Sequence, residues 1–294
     1  MKQVTEQDYH ERIIRALAHI QQHLDEELSL EQLSAVANFS RFHFHRVFHG
    51  LVGESLGQHI RRLRLERAAK QLKHGRDPVV QLALQAGFET HEAFTRAFKT
   101  MFDTSPSDYR AAHKPVPESP SGTHFDDVKG FHPPNYGDPL QVDVKEIAPM
   151  KVVFLRHVGP YSAVGTTWSR LMGWAGPRGL LGPSMMTLGI VYDDPAVTPA
   201  DKIRYDACLV IRREVKAEGE FGVMEIPGGK HAVATHRGPY ENLSETYKRI
   251  YGEWLPKSGY ELANSPAFEQ YLNSPQIAKP EDLVTVIHVP IQSR

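Results

Sequence analysis

Two hydrophobic rhythms divide the chain. Up to about residue 112 apolar residues recur three and four positions apart. Beyond residue 140 they alternate, or cluster in β-branched and aromatic runs. In the first part Phe44, Val47, Phe48 and Leu51 follow i, i+3, i+4, i+7. Phe94, Ala97, Phe98 and Met101 repeat the pattern. Each set predicts a helix with one buried face. A shorter helical stretch precedes each, starting near Gln32-Leu33 and near Gln81-Leu82. Asn38 and Gly87 fall where the intervening turn needs a left-handed residue, which these types tolerate. Ser40 and Thr90 suit the N-caps of the second helices. One helix-turn-helix unit is thus used twice, at about 30–51 and 79–102. Ser55–Leu72 between them contains no proline and predicts a stiff helix ~27 Å long.

Residues 113–139 keep neither rhythm. Proline and glycine are dense there, and a linker is expected between domains at 1–112 and 140–294. The second part repeats itself. His157-Val158-Gly159-Pro160-Tyr161 returns as His236-Arg237-Gly238-Pro239-Tyr240, an offset of 79 that also relates Thr167 to Thr246 and Arg170 to Arg249. The first copy reads as a strand over Val142–His157, a helix over Tyr161–Trp174, and strands over Met185–Tyr192 and Arg204–Arg212. Phe221–His236, Tyr240–Leu255, Pro266–Leu272 and Leu283–Ile291 take the same parts in the second. The fold class expected is multidomain. An all-α double helix-turn-helix domain precedes an α+β domain of two pseudo-symmetric strand-helix-strand-strand modules, about 142–212 and 221–291. The cleft between the modules is the expected pocket.

Charge changes the picture locally. The chain is nearly neutral, at −1. From Arg41 to Lys73, however, eight basic residues face two acidic ones. Such a stretch suits phosphate, although a basic helix is also an ordinary solvated face. A single cysteine, Cys208, excludes an internal disulfide and fits a reducing cytoplasm. Charges throughout the first twenty residues exclude a signal-peptide core there, and the apolar runs fall short of the ~20 residues a membrane helix needs. His45 and His49 have the i, i+4 spacing of a metal pair, but no acid or cysteine nearby completes a set. With no catalytic triad order, phosphate-binding glycine loop or zinc spacing, no enzyme activity, metal or cofactor is expected.

The faces turned away from the predicted core carry the candidate chemistry. Arg41, Phe42, His45, Arg46 and His49 lie on one helix, and His91, Glu92, Thr95, Arg96 and Lys99 on the other. These would reach base edges and phosphates if the helices enter a major groove. Arg61 on the spacer is a further phosphate candidate. The stretch from Leu28 to Arg110 resembles the AraC-type DNA-binding domain. Gly53-Glu54-Ser55, Arg61-Arg62-Leu63-Arg64-Leu65, Ala86-Gly87-Phe88, Phe94–Lys99 and Ser105–Arg110 carry the likeness. The resemblance implies that one protomer sets both recognition helices in successive major grooves of double-stranded DNA. It puts Phe42, His45, Arg46, Thr90, His91, Glu92, Thr95 and Arg96 at DNA-contact positions. RNA polymerase is the further partner to expect, and the state is monomer or homodimer.

In the back domain Glu269 stands out. It shares a strand face with Tyr271, since side chains alternate. The 79-residue offset matches Tyr271 to Tyr192 and Glu269 to Ile190. A carboxylate in a short apolar strand needs a partner such as a ligand cation, or else lies on a wet sheet face. Residues 140–292 look like a GyrI-like effector-binding domain. The two His-x-Gly-Pro-Tyr segments, Gly189–Pro195, Arg204–Cys208 and Pro266–Leu272 carry that likeness. It implies a pocket for an amphipathic, often cationic or aromatic effector, with a central glutamate at Glu269. Trp168, Tyr192, Tyr205, Trp254 and Tyr271 are the candidate walls, holding a planar cation by stacking and cation–π attraction. Two alternatives stay open: a ligand-hydrolysing domain with Glu269 as base, and a protein-interaction module. The reading expected is a transcription regulator responsive to a small molecule.

Overall fold

The structure is a computed structural model that describes residues 2–112, 119–120, 123, 131–182, 185–195 and 198–293, without the side chains of residues 2–5 and 42. It divides into two compact units, Gln7–Asn135 and Tyr136–Arg294 with the first six residues. No helix among the described residues is long and apolar enough to cross a membrane.

The front unit is helical: α1 (Lys2–Gln22), α2 (Leu30–Val36), α3 (Arg41–Val52), α4 (Leu56–His74), α5 (Val79–Gln85), α6 (His91–Phe102) and α7 (Pro106–Ala112). The apolar stripe of α3 is fully buried, as Phe44, Val47, Phe48 and Leu51 have no exposed surface. On α6 Phe94 and Phe98 are buried, while Ala97 and Met101 lie at the core's edge. Both turns take left-handed residues where expected, at Asn38 (φ 53°) and Gly87 (φ 77°). The Thr90 hydroxyl accepts from the Ala93 amide and caps α6, whereas Ser40 makes no side-chain cap bond. A capping box between Ser55 and Gln58 starts α4. Arg12 of α1 is itself buried. Its Nε donates to the Ala37 carbonyl at 2.9 Å, and its guanidinium lies 3.6 Å from the centre of the Phe39 ring. Described residues of the Pro/Gly-rich stretch also belong to this unit. Thr123 accepts from Arg62, Phe131 meets His10 edge-on, and Pro134 abuts Gly53.

The back unit contains β1 (Asp143–Ile147), β2 (Met150–Val158), α8 (Val164–Ala175), β3 (Thr187–Val191), β4 (Arg204–Val210), β5 (Phe221–Ile226), β6 (Gly229–Arg237), α9 (Leu243–Arg249), α10 (Leu255–Ser258), β7 (Tyr260–Leu262), β8 (Ala267–Tyr271) and β9 (Val284–Ser293). A π-helical turn, Ile250–Trp254, joins α9 to α10. The expected first strand of each module is two strands. Pro149 and the pair Pro227-Gly228 break them, because proline cannot continue a ladder as donor. The sheet is antiparallel with order β1-β6-β9-β8-β3-β4-β2-β5, and β7 also pairs with β9. The modules therefore exchange strands: β1 of the first pairs with β6 of the second, and β5 of the second with β2 of the first.

Each module starts its helix with the same lock. A carbonyl can only accept, so Nε2 of His157 donates to the Pro160 carbonyl (3.2 Å). That leaves Nδ1 to accept from the Thr167 hydroxyl (3.0 Å). His236 repeats this with Pro239 (3.2 Å) and Thr246 (2.8 Å). The 79-residue offset ends there. In the centre of the sheet Gly189 lies opposite Glu269, and Ala207 and Ile287 are their outer neighbours. The equivalent positions are thus Gly189 and Glu269, at an offset of 80, the difference of their numbers. Between lock and strand the second module has the π turn, and α8 has none. A wide turn accommodates an extra residue.

Candidate functional site: a helical nucleic-acid face and an aromatic cluster around a buried carboxylate

On α6 the candidate residues are open. Thr90, His91, Glu92, Arg96 and Lys99 are exposed and Thr95 is half-buried. On α3 Arg41 is exposed and His49 half-buried. His45 and Arg46, however, retain only 6% and 8% exposure. Their expected presentation to a groove is not met in this structure, and both engage in interactions within it. The Phe42 side chain lies outside the described residues. Arg61 is exposed on α4, with its guanidinium 5.9 Å from the Phe88 ring centre.

The basic spacer is less open to phosphate than its charge count suggests, because three of its arginines serve the protein itself. Arg62 donates to Glu54 (2.7 Å), Glu66 (2.6 Å) and the Thr123 carbonyl (2.9 Å). Arg64 donates to the carbonyls of Leu24 (3.0 Å) and Glu26 (2.9 Å). Arg67 pairs with Asp25 (2.7 Å) and reaches the Gln85 carbonyl. Glu66, almost fully buried, and Glu54 need the Arg62 cation. Burial alone would push the Glu54 carboxyl up. Bonds from His59 and Arg62 reverse this and hold it below the usual range. Burial pushes the neighbouring His59 down. Sequence counting registered the charges but not their direction.

In the back unit Glu269 retains 6% exposure. Tyr247 Oη donates to its Oε1 (3.1 Å) and Tyr271 Oη to its Oε2 (2.6 Å). Because the Tyr271 proton is used, Tyr205 must donate to Tyr271 Oη, at 2.9 Å. Trp168 Nε1 in turn donates to Tyr205 Oη, at 3.2 Å. A four-member relay thus runs from α8 across β4 and β8 to the carboxylate, and such chains reinforce their members. Burial, then the Glu269 charge, pushes the Tyr205 and Tyr271 hydroxyls well above their usual pKa, so they stay protonated donors. Rings surround the relay edge-on. Trp168 and Tyr240 meet Tyr271 at 5.8 and 5.5 Å, and Tyr161 meets Tyr205 at 6.0 Å. Aromatic edges and faces around a carboxylate suit an organic cation.

The structure thus brings Glu269, Tyr271, Tyr205 and Trp168 together, and two expected walls stand elsewhere. Tyr192 donates to the buried Asp206 at 2.8 Å, on the sheet face of Ile190 and Phe268. A one-residue slip of the repeat turns a side chain to the other face, and the offset of 80 is that slip. The Arg156 guanidinium pairs with Asp206 and lies 4.8 Å from the Tyr192 ring. Trp254 stacks on Tyr260, at 6.5 Å, beside Lys230. Its position in the π turn directs it there. Three residues of this aromatic cluster escaped the sequence reading. Tyr161 and Tyr240 close the repeated His-x-Gly-Pro-Tyr segments, so repetition itself was the available signal. Tyr247, paired with Trp168 at the offset of 79, was the other.

Comparison with known proteins agrees with both halves. A model of the GyrI-like small molecule binding domain matches residues 140–292, and a helix-turn-helix domain model matches residues 33–112. The uncharacterized HTH-type transcriptional regulator YbfP of Bacillus subtilis is 40% identical over 106 residues, 36% of this chain and 36% of that protein. The chain therefore spans about a third of the length of that relative. The multiple antibiotic resistance protein MarA of Escherichia coli is 40% identical over 91 residues, 31% of this chain and 72% of its own length. The crystal structure of the EcmrR C-terminal domain is similar with a TM-score of 0.44 at 20% identity, over 53% of this chain and 99% of that one.

Proposed function

Since the chain belongs to the GyrI-like small molecule binding domain family and is, through its front half, a DNA-binding transcription regulator of the AraC family, we propose that an amphipathic organic cation controls it. The cation enters the aromatic pocket around Glu269 and biases how the front unit engages a promoter in the cytoplasm. One observation supports this reading above the rest. Glu269 is buried among four aromatic side chains, Tyr247, Tyr271, Tyr205 and Trp168, whose hydroxyl and indole groups meet it directly or through the relay. A buried carboxylate favours whatever neutralises it, and a flat cation finds both charge and π faces there.

On DNA, His91, Glu92, Thr95 and Arg96 of α6 read base edges, with Thr90, Lys99 and Arg61 on phosphates. Arg41, Phe42, His45, Arg46 and His49 of α3 supply the second reading helix once His45 and Arg46 are uncovered. The regulator works as a monomer or homodimer beside RNA polymerase.

The test uses the full chain. A duplex is first selected from a random pool, and its affinity is then measured by fluorescence anisotropy with and without tetraphenylphosphonium. Sequence-selective binding whose affinity moves saturably with the cation is expected. Binding indifferent to sequence would overturn the DNA half, and saturable DNA binding indifferent to the cation would overturn the effector half.

A further inference from the structure

Gly189 lies in the interior of β3, directly opposite Glu269. A glycine inside a strand weakens it, and its usual reason is the close approach of another group. Here that group is the relay. A Cβ added at Gly189 would fall 2.5 Å from Tyr271 Oη and closer still to Tyr205 Oη. Both are the hydroxyls whose contact passes the chain of donors to Glu269. Real Cβ atoms do not approach so closely, so any side chain at this position separates the two tyrosines. By pseudo-symmetry Gly189 is also the counterpart of Glu269. The second module places a carboxylate at this point of the sheet, and the first places empty space that two hydroxyls fill.

We propose that Gly189 determines which cations the pocket accepts, by permitting the Tyr205–Tyr271–Glu269 relay to close. The inference rests on the pocket reading above. A carboxylate has about four lone-pair positions. With the relay closed, Tyr271 and Tyr247 occupy one on each oxygen. A cation without N–H groups, such as a quaternary ammonium, then brings its charge without leaving those positions unfilled. With the relay open, Glu269 loses the Tyr271 donor and Oε2 frees a further position, so a cation that carries its own N–H groups gains one more bond to the carboxylate and one without them does not. Gly189 acts through Tyr271 and is a positioning residue.

Two probes separate the cases: benzyltrimethylammonium and benzylammonium share a ring and a charge and differ in N–H groups. Their dissociation constants are measured by calorimetry on the full chain, its Gly189→Ala variant and its Tyr271→Phe variant. The expected result is a shift of the affinity ratio toward benzylammonium of about tenfold in Gly189→Ala, the worth of one charge-assisted hydrogen bond. Tyr271→Phe removes the same donor while adding space, so a shift in the same direction excludes mere crowding by the new methyl group. An unchanged ratio in a folded Gly189→Ala overturns the proposal. So does an unchanged ratio in Tyr271→Phe, which decides the matter alone if Gly189→Ala does not fold. If the wild type binds neither probe, the pocket reading falls and the inference with it. If it binds both and neither variant moves the ratio, only the inference falls.

Discussion

The front and back units each bury carboxylates, and Glu54 and Glu66 of the front are met differently from Glu269 of the back, although the back also pairs its buried Asp206 with Arg156. In the front unit Arg62 spans Glu54 and Glu66, so formal charge meets formal charge. In the back unit Glu269 receives hydroxyls of Tyr247 and Tyr271, which satisfy its oxygens and carry no charge of their own. The first arrangement reads as structure, because removing any member leaves an ion in a dry place. The second suits the proposed receptor, because an added cation would supply the charge that the hydroxyls lack. Burial of a charge is thus no indicator of function by itself; the chemistry of what meets the charge decides.

The largest expected effect tests the front half of this contrast. Arg62→Met leaves Glu54 and Glu66 without their cation and should cost about 3–5 kcal/mol in urea unfolding of the full chain. A loss below about 1 kcal/mol would show the network to be dispensable and remove the contrast.

Next comes acid, which acts on a buried histidine of the back unit. His288 retains 6% exposure and stacks on Phe268 at 4.4 Å. Burial, then His231 and Lys145, lower its pKa to about 4 from 6.5. Its folded value lies below the unfolded one. The resulting stability is fully present above pH 6.5 and is lost as pH falls toward 4. The difference is worth about 3 kcal/mol. Thermal midpoints of the wild type should fall across that window, and His288→Phe should flatten the fall. An unaltered slope in the variant would assign the acid sensitivity to other groups, His59 among them.

The smallest effect sharpens a comparison inside the front unit. Thr90 caps α6 through its hydroxyl and Ser40 does not cap α3. Thr90→Ala should therefore cost ~1 kcal/mol, and Ser40→Ala a few tenths. Equal losses in chemical denaturation would contradict the two cap geometries.

Much of this was legible in the sequence. Periodicity located α3 and α6, Asn38 and Gly87 marked their turns, and the repeat located the His–Thr locks. What stayed hidden has three physical causes. Proline breaks a strand without changing the alternation around it, so β1 with β2 and β5 with β6 looked continuous. One extra residue changes no composition and yet turns a strand over, which moved Tyr192 away from Glu269 and put Gly189 opposite it. Arginine counts carry no direction, so Arg62, Arg64 and Arg67 looked available for phosphate while bonding to their own chain.

The most direct measurement of the central claim is calorimetric titration of the full chain and its Glu269→Gln variant with tetraphenylphosphonium and with the uncharged triphenylphosphine oxide. Glutamine keeps the shape of the site and removes its charge, with its NH2 facing one of the two tyrosine hydroxyls, which then accepts where it had donated. The account predicts saturable binding of the cation by the wild type, at least tenfold weaker binding by the variant, and little change for the neutral compound. Equal affinity of both proteins for the cation would contradict it, and would leave Glu269 a structural carboxylate like Glu54.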